Sequence, residues 1–443
     1  MLAILRHRTF RHLFAAQVVA LLGTGLATVA LALLAYDLAG DRAGEVLGTA
    51  LAIKMGVYIV LAPVSGAIVP PAWRKPVLIA LDLVRAAAAL MLPFVSELWQ
   101  VYLLIALLQS ASAGFTPLFQ SVIPEILPDE RDYTRALSLS RLAYDLENLL
   151  SPVIAAALLT LISFHGLFAG TAAGFVLSAL LVAGAVFPRA SSAPAAGGPY
   201  DRALRGMRVY LRTPRLQGLL AFNLVAAAGG AMVIVNTVVI VRDVLGGGER
   251  EVAWALAAFG AGSMAVALLL PRLLERVLDR RVMLTAGIAM VAALSAAWAA
   301  WSATRGMTWP VLLSAWAVLG MAYAGLVTPG GRLLRRSTGP DGLPFLFAAQ
   351  FSLSHVCWLL AYPLAGTLGA RYGMQVALAA LAAVALLGLL AAWRAWPAHD
   401  PESLEHDHDD LPADHPHLRQ HATGTGRHAH PYVIDGLHER WPR

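Results

Sequence analysis

Long apolar stretches alternate with short polar links along most of this 443-residue chain, and the residues after 397 are polar. A helix needs about 20 mostly apolar residues to cross the hydrocarbon core of a bilayer. Twelve stretches reach that length. The pattern therefore predicts an all-α integral membrane protein with spanning helices at 13–37, 46–69, 76–96, 99–122, 136–162, 166–187, 215–241, 252–272, 282–303, 309–331, 344–369 and 372–396.

The basic residues of the links divide unevenly between the two sides of a bilayer. If the N-terminus lies in the cytoplasm, the links on that side hold 21 Lys and Arg residues, and the links on the other side hold 5. An excess of Lys and Arg is typical of cytoplasmic links. We therefore predict a multi-pass protein of a bacterial-type inner membrane with both termini in the cytoplasm.

Composition supports a membrane protein and argues against other classes. Hydrophobic residues make up 58% of the chain and charged residues 14%, whereas soluble proteins carry about 25% charged residues. The net charge of +6 comes from the links, so we expect no nucleic-acid partner. The single cysteine, Cys357, excludes an intrachain disulfide. The first apolar stretch is too long for the core of a cleaved signal peptide.

The longest internal link divides the helices into two sets of six. It runs from 188 to 214, is rich in Pro, Gly and Ser, and ends in a basic segment that could form an amphipathic surface helix. Two such sets suggest parallel repeats. We predict an N-terminal half at 1–187, a cytoplasmic linker at 188–214, a C-terminal half at 215–397 and a His-rich cytoplasmic tail at 398–443.

Several short motifs resemble those of the major facilitator superfamily, in particular its branch of macrolide and siderophore exporters. The resemblance covers about residues 1–397 and implies the major facilitator fold of two six-helix halves. The motifs are the segment from Arg8 to Gln17, the pair Thr116-Pro117 and the triplet Ile123-Pro124-Glu125.

The loop between the second and third predicted helices departs from the family pattern. Gly66, Arg74 and Lys75 match it, but two prolines, at 70 and 71, stand where the family carries an Asp-Arg pair. In the family this loop gates the cytoplasmic side. The resemblance therefore implies that Asp279 and Arg280, which precede the corresponding helix of the second half, carry more of this role.

Charged residues inside apolar stretches are costly and usually mark a pathway or a gate. Asp82 and Arg85 share a helix face and form either part of a gate or an intrahelical pair. Arg141 and Asp145 share another face, and Glu147 faces elsewhere, toward the second half or a cavity. We predict that the inner gate comprises Arg74, Lys75, Asp82, Arg85, Arg141, Asp145, Glu147, Asp279 and Arg280.

Two further polar residues lie near the middle of predicted helices, Lys54 and His355. A central Lys costs about 2.5–3.5 kcal/mol on insertion scales. We predict that both residues contact the substrate or protons on the pathway. The alternatives are that Lys54 pairs with a carboxylate such as Asp37 to hold helices together, and that His355 is a hydrogen-bonded packing residue.

The tail combines nine His with nine acidic residues. Imidazoles near carboxylates suit Ni²⁺, Zn²⁺, Co²⁺ or Cu²⁺. Because Pro and Gly are spread through the segment, we predict that it is disordered without metal. The alternative is a low-complexity tail without metal. Three H-x-H pairs supply the predicted ligands, which are His406, His408, His415, His417, His428 and His430.

A His-rich tail on a twelve-helix exporter resembles the nickel-resistance branch of the same superfamily. The resemblance implies a secondary-active, proton-coupled antiporter that exports a divalent metal such as nickel or cobalt. The alternative is an exporter of drugs, macrolides or siderophores. A metal-sensing receptor without transport is disfavoured, because no signalling domain accompanies the helices.

The sequence also indicates what the protein lacks. We find no phosphate-binding Gly-x-x-x-x-Gly-Lys loop and no hydrolytic or redox constellation, so we expect a transporter that is not an enzyme. We expect no resident cofactor, apart from transient divalent metal at the tail. The expected partners are the lipid bilayer, protons and the exported ion or small molecule, and the protein is expected to be a monomer.

Overall fold

A computed structural model describes most of the chain, and most of the described residues are helical. It does not describe residues 1, 70, 128, 130–131, 133–135, 137–138, 141–142, 144–146, 148–149, 152, 188–198, 305, 339–342, 401–402, 407–427, 431, 435–437, 439–440 and 442–443.

The described helices of the first half are α1 (Arg8–Ala39), α2 (Ala43–Ile68), α3 (Arg74–Met91), α4 (Leu98–Ile126) and α5 (Phe164–Gly184). Between α4 and α5, many residues from 132 to 158 are also helical, including Glu147 and Ser151. We call these described residues the Glu147 segment. The segment overlaps the predicted span at 136–162.

A short surface helix precedes the helices of the second half. The elements are α6 (Pro199–Arg212), α7 (Pro214–Val239), α8 (Glu249–Leu274), α9 (Asp279–Thr304), α10 (Trp309–Val327), α11 (Gly330–Arg336), α12 (Leu343–Tyr372), α13 (Met374–Ala395), β1 (Leu404–His406) and β2 (His428–His430). Helix α6 occupies the basic end of the predicted linker.

Ten stretches among the described residues are long and apolar enough to cross a membrane, and the first of them, Arg8–Leu61, contains α1 and most of α2. This result confirms the prediction of an all-α multi-pass membrane protein. The number of twelve spans stays a prediction, because the helix expected at 136–162 is described only in part.

Corresponding helices of the two halves pack in the same way. In the first half α1 packs against α5, α2 against α4, and α3 against both α4 and α5. In the second half α7 packs against α13, α8 against α10, and α9 against both α10 and α13. Each half therefore repeats one set of contacts in one chain order, as expected for parallel repeats.

The two halves meet most closely where the start of α2 packs against the end of α12. A Cβ atom added to Gly366 would lie 2.1 Å from the carbonyl oxygen of Gly44, and one added to Gly48 would lie 2.6 Å from that of Tyr362. Small residues allow membrane helices to approach at this distance. We call this region, with the neighbouring ends of α1 and α7, the sealed end of the bundle.

Polar contacts between the halves reinforce the sealed end. Arg371 Nη2 lies 2.9 Å from Glu45 Oε1, and the Tyr36 hydroxyl donates a hydrogen bond to Asp243. These side chains belong to four different segments of the chain. The sealed end is thus closed by both backbone packing and charge.

We expect Gly366→Val to force α2 and α12 apart at the sealed end, because its side chain would clash with backbone atoms. Overpacking typically costs about 1–3 kcal/mol. The apparent melting temperature of the detergent-purified protein, followed by tryptophan fluorescence, should fall. Gly56→Val in α2 is the control, since none of the described residues lies within 4 Å of a Cβ added there. Equal melting temperatures for the two variants would contradict the close approach.

Candidate functional site

Lys54 lies near the middle of α2 (Ala43–Ile68) and is half-buried. Its electrostatic neighbours include Glu147 and His355. Asp37, the carboxylate that the sequence suggested for pairing with Lys54, is an exposed residue close to the end of α1. The structure therefore gives Lys54 a different carboxylate neighbour, Glu147, from a segment 93 positions further along the chain.

A glycine of α1 allows the Glu147 segment to approach the core of the first half. A Cβ atom added to Gly25 would lie 2.0 Å from Ser151 Oγ and 3.2 Å from Glu147 Oε1. Any larger residue at position 25 would displace both side chains. The glycine thus helps to position Glu147 as a neighbour of Lys54.

His355 contributes to the same region from the second half. Its ring stacks on that of Tyr58, with centroids 5.4 Å apart and planes 6° from parallel. Its Nδ1 atom lies 2.6 Å from the carbonyl oxygen of Phe351. Tyr58 is one helical turn from Lys54 on α2, so the two residues share a face. His355 is therefore both hydrogen-bonded and a neighbour of the Lys54–Glu147 pair.

A small cavity of about 20 Å³ lies beside Lys54 between α1, α2 and α4. The Oε1 atom of Gln109 on its wall is buried and has no hydrogen-bond partner among the described residues. The other lining residues are Thr24, Ala27, Thr28, Leu31, Leu51, Ile105 and Leu108. The cavity thus combines one cation with hydroxyl, amide and apolar groups.

Helix α12 carries an aromatic face made of Phe351, His355, Trp358 and Tyr362, which are spaced to share one side of a helix. The centroids of Trp358 and Tyr362 are 4.9 Å apart, and Trp358 also meets Tyr323 of α10 at 6.3 Å. Of these four residues only His355 was predicted to be functional, although all four are present in the sequence at this helical spacing.

Two intramembrane amides that could have bound substrate instead form contacts between elements. The Tyr210 hydroxyl donates to Gln350, and Asn236 Nδ2 donates to the carbonyl oxygen of Ala365 at 3.1 Å. These bonds join α6 to α12 and α7 to α12. Interhelical hydrogen bonds of this kind are common among membrane helices.

The predicted gate residues Asp82 and Arg85 form the intrahelical pair. Arg85 donates to Asp82, and Ser178 Oγ of α5 donates to the other Asp82 oxygen at 2.8 Å. The Arg85 guanidinium carbon lies 4.2 Å from the ring centroid of Phe115 and 4.5 Å from that of Phe175. The pair is buried and joins α3, α4 and α5 through charge and cation–π contacts.

Asp279 and Arg280 bind different partners at the end of the bundle opposite the sealed end. Asp279 Oδ2 accepts a hydrogen bond from Arg336 Nη1 at 3.5 Å and lies 3.3 Å from Arg332 Nε in an ion pair. Arg280 Nε donates to the carbonyl oxygen of Trp396 at 2.9 Å. Asp279 thus joins α9 to α11. Arg280 instead binds the carbonyl oxygen of Trp396, which directly follows α13. A gating role for either residue stays a prediction.

The remaining gate residues lie in different places. Lys75 Nζ donates to the carbonyl oxygen of Ala185 at 2.8 Å, which joins the start of α3 to the end of α5. Arg74 lies at the start of α3. Arg141 and Asp145 lie outside the described residues. Glu147 is an electrostatic neighbour of Lys54 of the predicted pathway, and its role in the gate stays a prediction.

The tail contains more regular structure than the sequence suggested. Strands β1 and β2 pair antiparallel, with Leu404 opposite His430 and position 406 opposite position 428. Tyr432 and Ile434 are buried among the described residues, and disorder of the rest of the tail stays a prediction. His408, His415 and His417 lie outside the described residues.

The described residues do not contain a group of three or more His, Cys, Asp or Glu side chains able to hold a metal ion. The side chains at 406 and 428 are not among those that the structure describes. In the membrane body, the residues that converge on Lys54 are thus a cation, a carboxylate, aromatic rings and amide or hydroxyl groups. Such a set can bind an organic molecule and exchange a proton.

Comparison with known sequences and structures gives a consistent result. The Major Facilitator Superfamily profile matches residues 13–248 and 219–423. The chain is 26% identical over 328 residues to the uncharacterized MFS-type transporter YfiS of Bacillus subtilis, covering 72% of this chain and 77% of YfiS. It is 26% identical over 150 residues to macrolide efflux protein A of Streptococcus pyogenes, covering 32% of this chain and 37% of that relative.

Solved transporters share the fold at low identity. The nucleoside transporter NupG superimposes with a TM-score of 0.65 and 14% identity, covering 87% of this chain and 98% of NupG. An inward-facing bacterial homolog of the human lysosomal transporter Spinster gives a TM-score of 0.66 and 12% identity, covering 88% of this chain and 97% of that protein. Because the family profile matches most of its length, this chain belongs to the major facilitator superfamily of membrane transporters.

Proposed function

We propose that this transporter is a proton-coupled antiporter that exports an amphiphilic organic molecule of the macrolide type. The observation that carries the proposal is the cavity beside Lys54, with Glu147 nearby against α1 and Tyr58 stacked on His355 of the aromatic face. Ligand pockets for organic molecules are mostly apolar and aromatic, with a few polar groups that orient the ligand. The partial similarity to macrolide efflux protein A supports the same class of cargo.

The charge pair suggests how protons and cargo would be coupled. While Glu147 is ionised, it balances the charge of Lys54. A proton on Glu147 would leave Lys54 without this counter-charge, and the cation would then draw water into the cavity and displace the apolar cargo. Intramembrane carboxylates act as proton relays in many transporters. Cargo and proton would thus compete for one site, as antiport requires.

Export is the direction that the predicted topology and the relatives favour. With both termini in the cytoplasm of a bacterial inner membrane, the sealed end faces outside. The cavity would then receive cargo from the cytoplasm or the inner leaflet. Opening the sealed end requires breaking the Arg371–Glu45 ion pair and the Tyr36–Asp243 hydrogen bond. These contacts supply an outer gate, and the Asp279 contacts supply the corresponding inner gate.

A divalent metal such as nickel or cobalt is the second candidate cargo. The observation that favours it is the concentration of nine His in the tail, since imidazole is a preferred ligand for these ions. The central region argues against it, because Lys54 lines the cavity and its positive charge repels a bare cation. The sequence favoured a divalent metal over an organic molecule, and we propose the opposite order.

We expect Glu147→Gln to separate proton coupling from cargo binding. In everted vesicles with an imposed pH gradient, accumulation of a labelled macrolide should fall at least about 10-fold, because the neutral amide cannot exchange a proton. Exchange of labelled for unlabelled macrolide at equal pH should persist, because that reaction needs no net proton movement. Lys54→Gln should lose both activities.

Asp41→Asn is the matched control for this experiment, because Asp41 is an exposed carboxylate outside the cavity. All variants should be compared at equal amounts in the membrane. Wild-type accumulation by Glu147→Gln under the same gradient would disprove the coupling role. Loss of exchange as well as accumulation in Glu147→Gln would assign the residue to cargo binding or to folding.

The cargo itself can be identified by tolerance of an efflux-deficient bacterial host. We expect expression of the wild-type chain to raise the inhibitory concentration of at least one macrolide or related amphiphile, and Lys54→Gln to abolish the gain. Graded NiCl₂ and CoCl₂ should be tested in parallel. A gain in metal tolerance without any gain toward organic compounds would favour the second candidate and contradict the first.

A further inference from the structure

The cavity beside Lys54 is close to the size of a water molecule. Its volume of about 20 Å³ exceeds the roughly 10–15 Å³ that one water molecule requires inside a protein. An organic cargo is far larger, so it can enter only when α1, α2 and α4 separate. In the conformation described, the cavity therefore admits a ligand no larger than a water molecule or a small ion.

Three polar side chains on the cavity wall offer acceptor atoms to such a ligand. Gln109 is 6% exposed, and its Oε1 atom has no hydrogen-bond partner among the described residues. The Thr24 hydroxyl donates to the carbonyl oxygen of Ala20 at 3.0 Å, and the Thr28 hydroxyl donates to that of Thr24 at 3.1 Å. Because a hydroxyl group has one hydrogen and two lone pairs, both threonine oxygens keep acceptor capacity.

Lys54 supplies a donor on the same wall. An ammonium group carries three N–H donors and no acceptor, so the wall combines a cationic donor with neutral acceptors. A cation in the cavity would be repelled by Lys54. An anion would face the lone pairs of Gln109, Thr24 and Thr28. A water molecule both accepts and donates hydrogen bonds, and it therefore matches the two kinds of group together.

We propose that this cavity binds one water molecule, which accepts a hydrogen bond from Lys54 and donates one to Gln109 Oε1. Thr24 and Thr28 offer acceptors for its second hydrogen, which gives the water about three partners, the usual number for a buried water. Gln109 is then a positioning residue, because it holds the water that solvates Lys54 when a proton neutralises Glu147. This role rests on the proposed antiport function, whereas the water site itself does not.

The water site can be tested by X-ray hydroxyl-radical oxidation of the full-length protein in lipid nanodiscs, read by mass spectrometry. Radicals formed from a bound water oxidise the side chains that touch it. We expect Leu51 and Leu108, which line the cavity, to be oxidised severalfold faster than Leu47, which is similarly buried but is not part of the wall. Gln109→Met keeps the length of the side chain and removes the amide, so it should reduce oxidation to the rate of Leu47.

Two further variants make the oxidation experiment decisive. Thr28→Val removes an acceptor and keeps the side-chain shape, so it should also slow the oxidation of Leu51. Ser112→Ala is the control, because Ser112 is a buried hydroxyl residue of α4 outside the cavity wall, and it should leave the rates unchanged. Equal rates at Leu47 and Leu51 in the wild-type protein would overturn the water site. Unchanged oxidation in Gln109→Met, or in Thr28→Val should the first variant not fold, would overturn it as well.

The role of the water in coupling has a separate readout in everted vesicles. Under an imposed pH gradient, Gln109→Met should accumulate severalfold less macrolide than the wild-type protein, whereas exchange at equal pH should persist. Ser112→Ala should behave as the wild type does. Full gradient-driven accumulation by Gln109→Met would overturn the role that we assign to the water. Absence of macrolide transport by the wild-type protein would count against the proposed function, and the oxidation experiment would still decide the water site.

Discussion

The arrangement of this protein depends on partners for charges that lie within an apolar helical bundle. An ion without a counter-charge or hydrogen bonds is expensive in such surroundings, so buried ions occur in pairs. Asp82 is therefore held by Arg85 and Ser178, and Asp279 by two arginines that follow α10. Each group ties together helices that are not adjacent in the chain. The charges thus help to determine which helices pack together.

The charged groups differ in how they are enclosed, and this difference separates structural from functional roles. The Asp82–Arg85 pair is covered by two aromatic rings and a hydroxyl group, which leaves little room for a ligand. Lys54 instead lines a cavity and has its carboxylate neighbour on a different helical segment. A pair that joins two elements can be broken and restored when those elements move. The Lys54 region therefore suits a transport cycle better than the Asp82 region does.

Glycine and aromatic residues set the geometry in which these charges act. Gly25 allows the Glu147 segment to come close to α1, and Gly44 and Gly366 allow the halves to meet at the sealed end. The rings of α12 then form a continuous face that begins beside Tyr58 of α2. In the tail, Trp441 and Asp400 both contact the buried Arg215 of the membrane body.

The sequence by itself determined the membrane class, the positions of most described helices and the presence of costly interior charges. These properties are local, because the bilayer imposes a length and a desolvation cost on each segment separately. Only the tertiary structure decided that Glu147 rather than Asp37 is the carboxylate beside Lys54, and that β1 and β2 pair across more than twenty residues. Such pairings depend on which faces meet after packing, and a single small residue such as Gly25 can determine that. Sequence spacing within one helix carries no information about the helix that faces it.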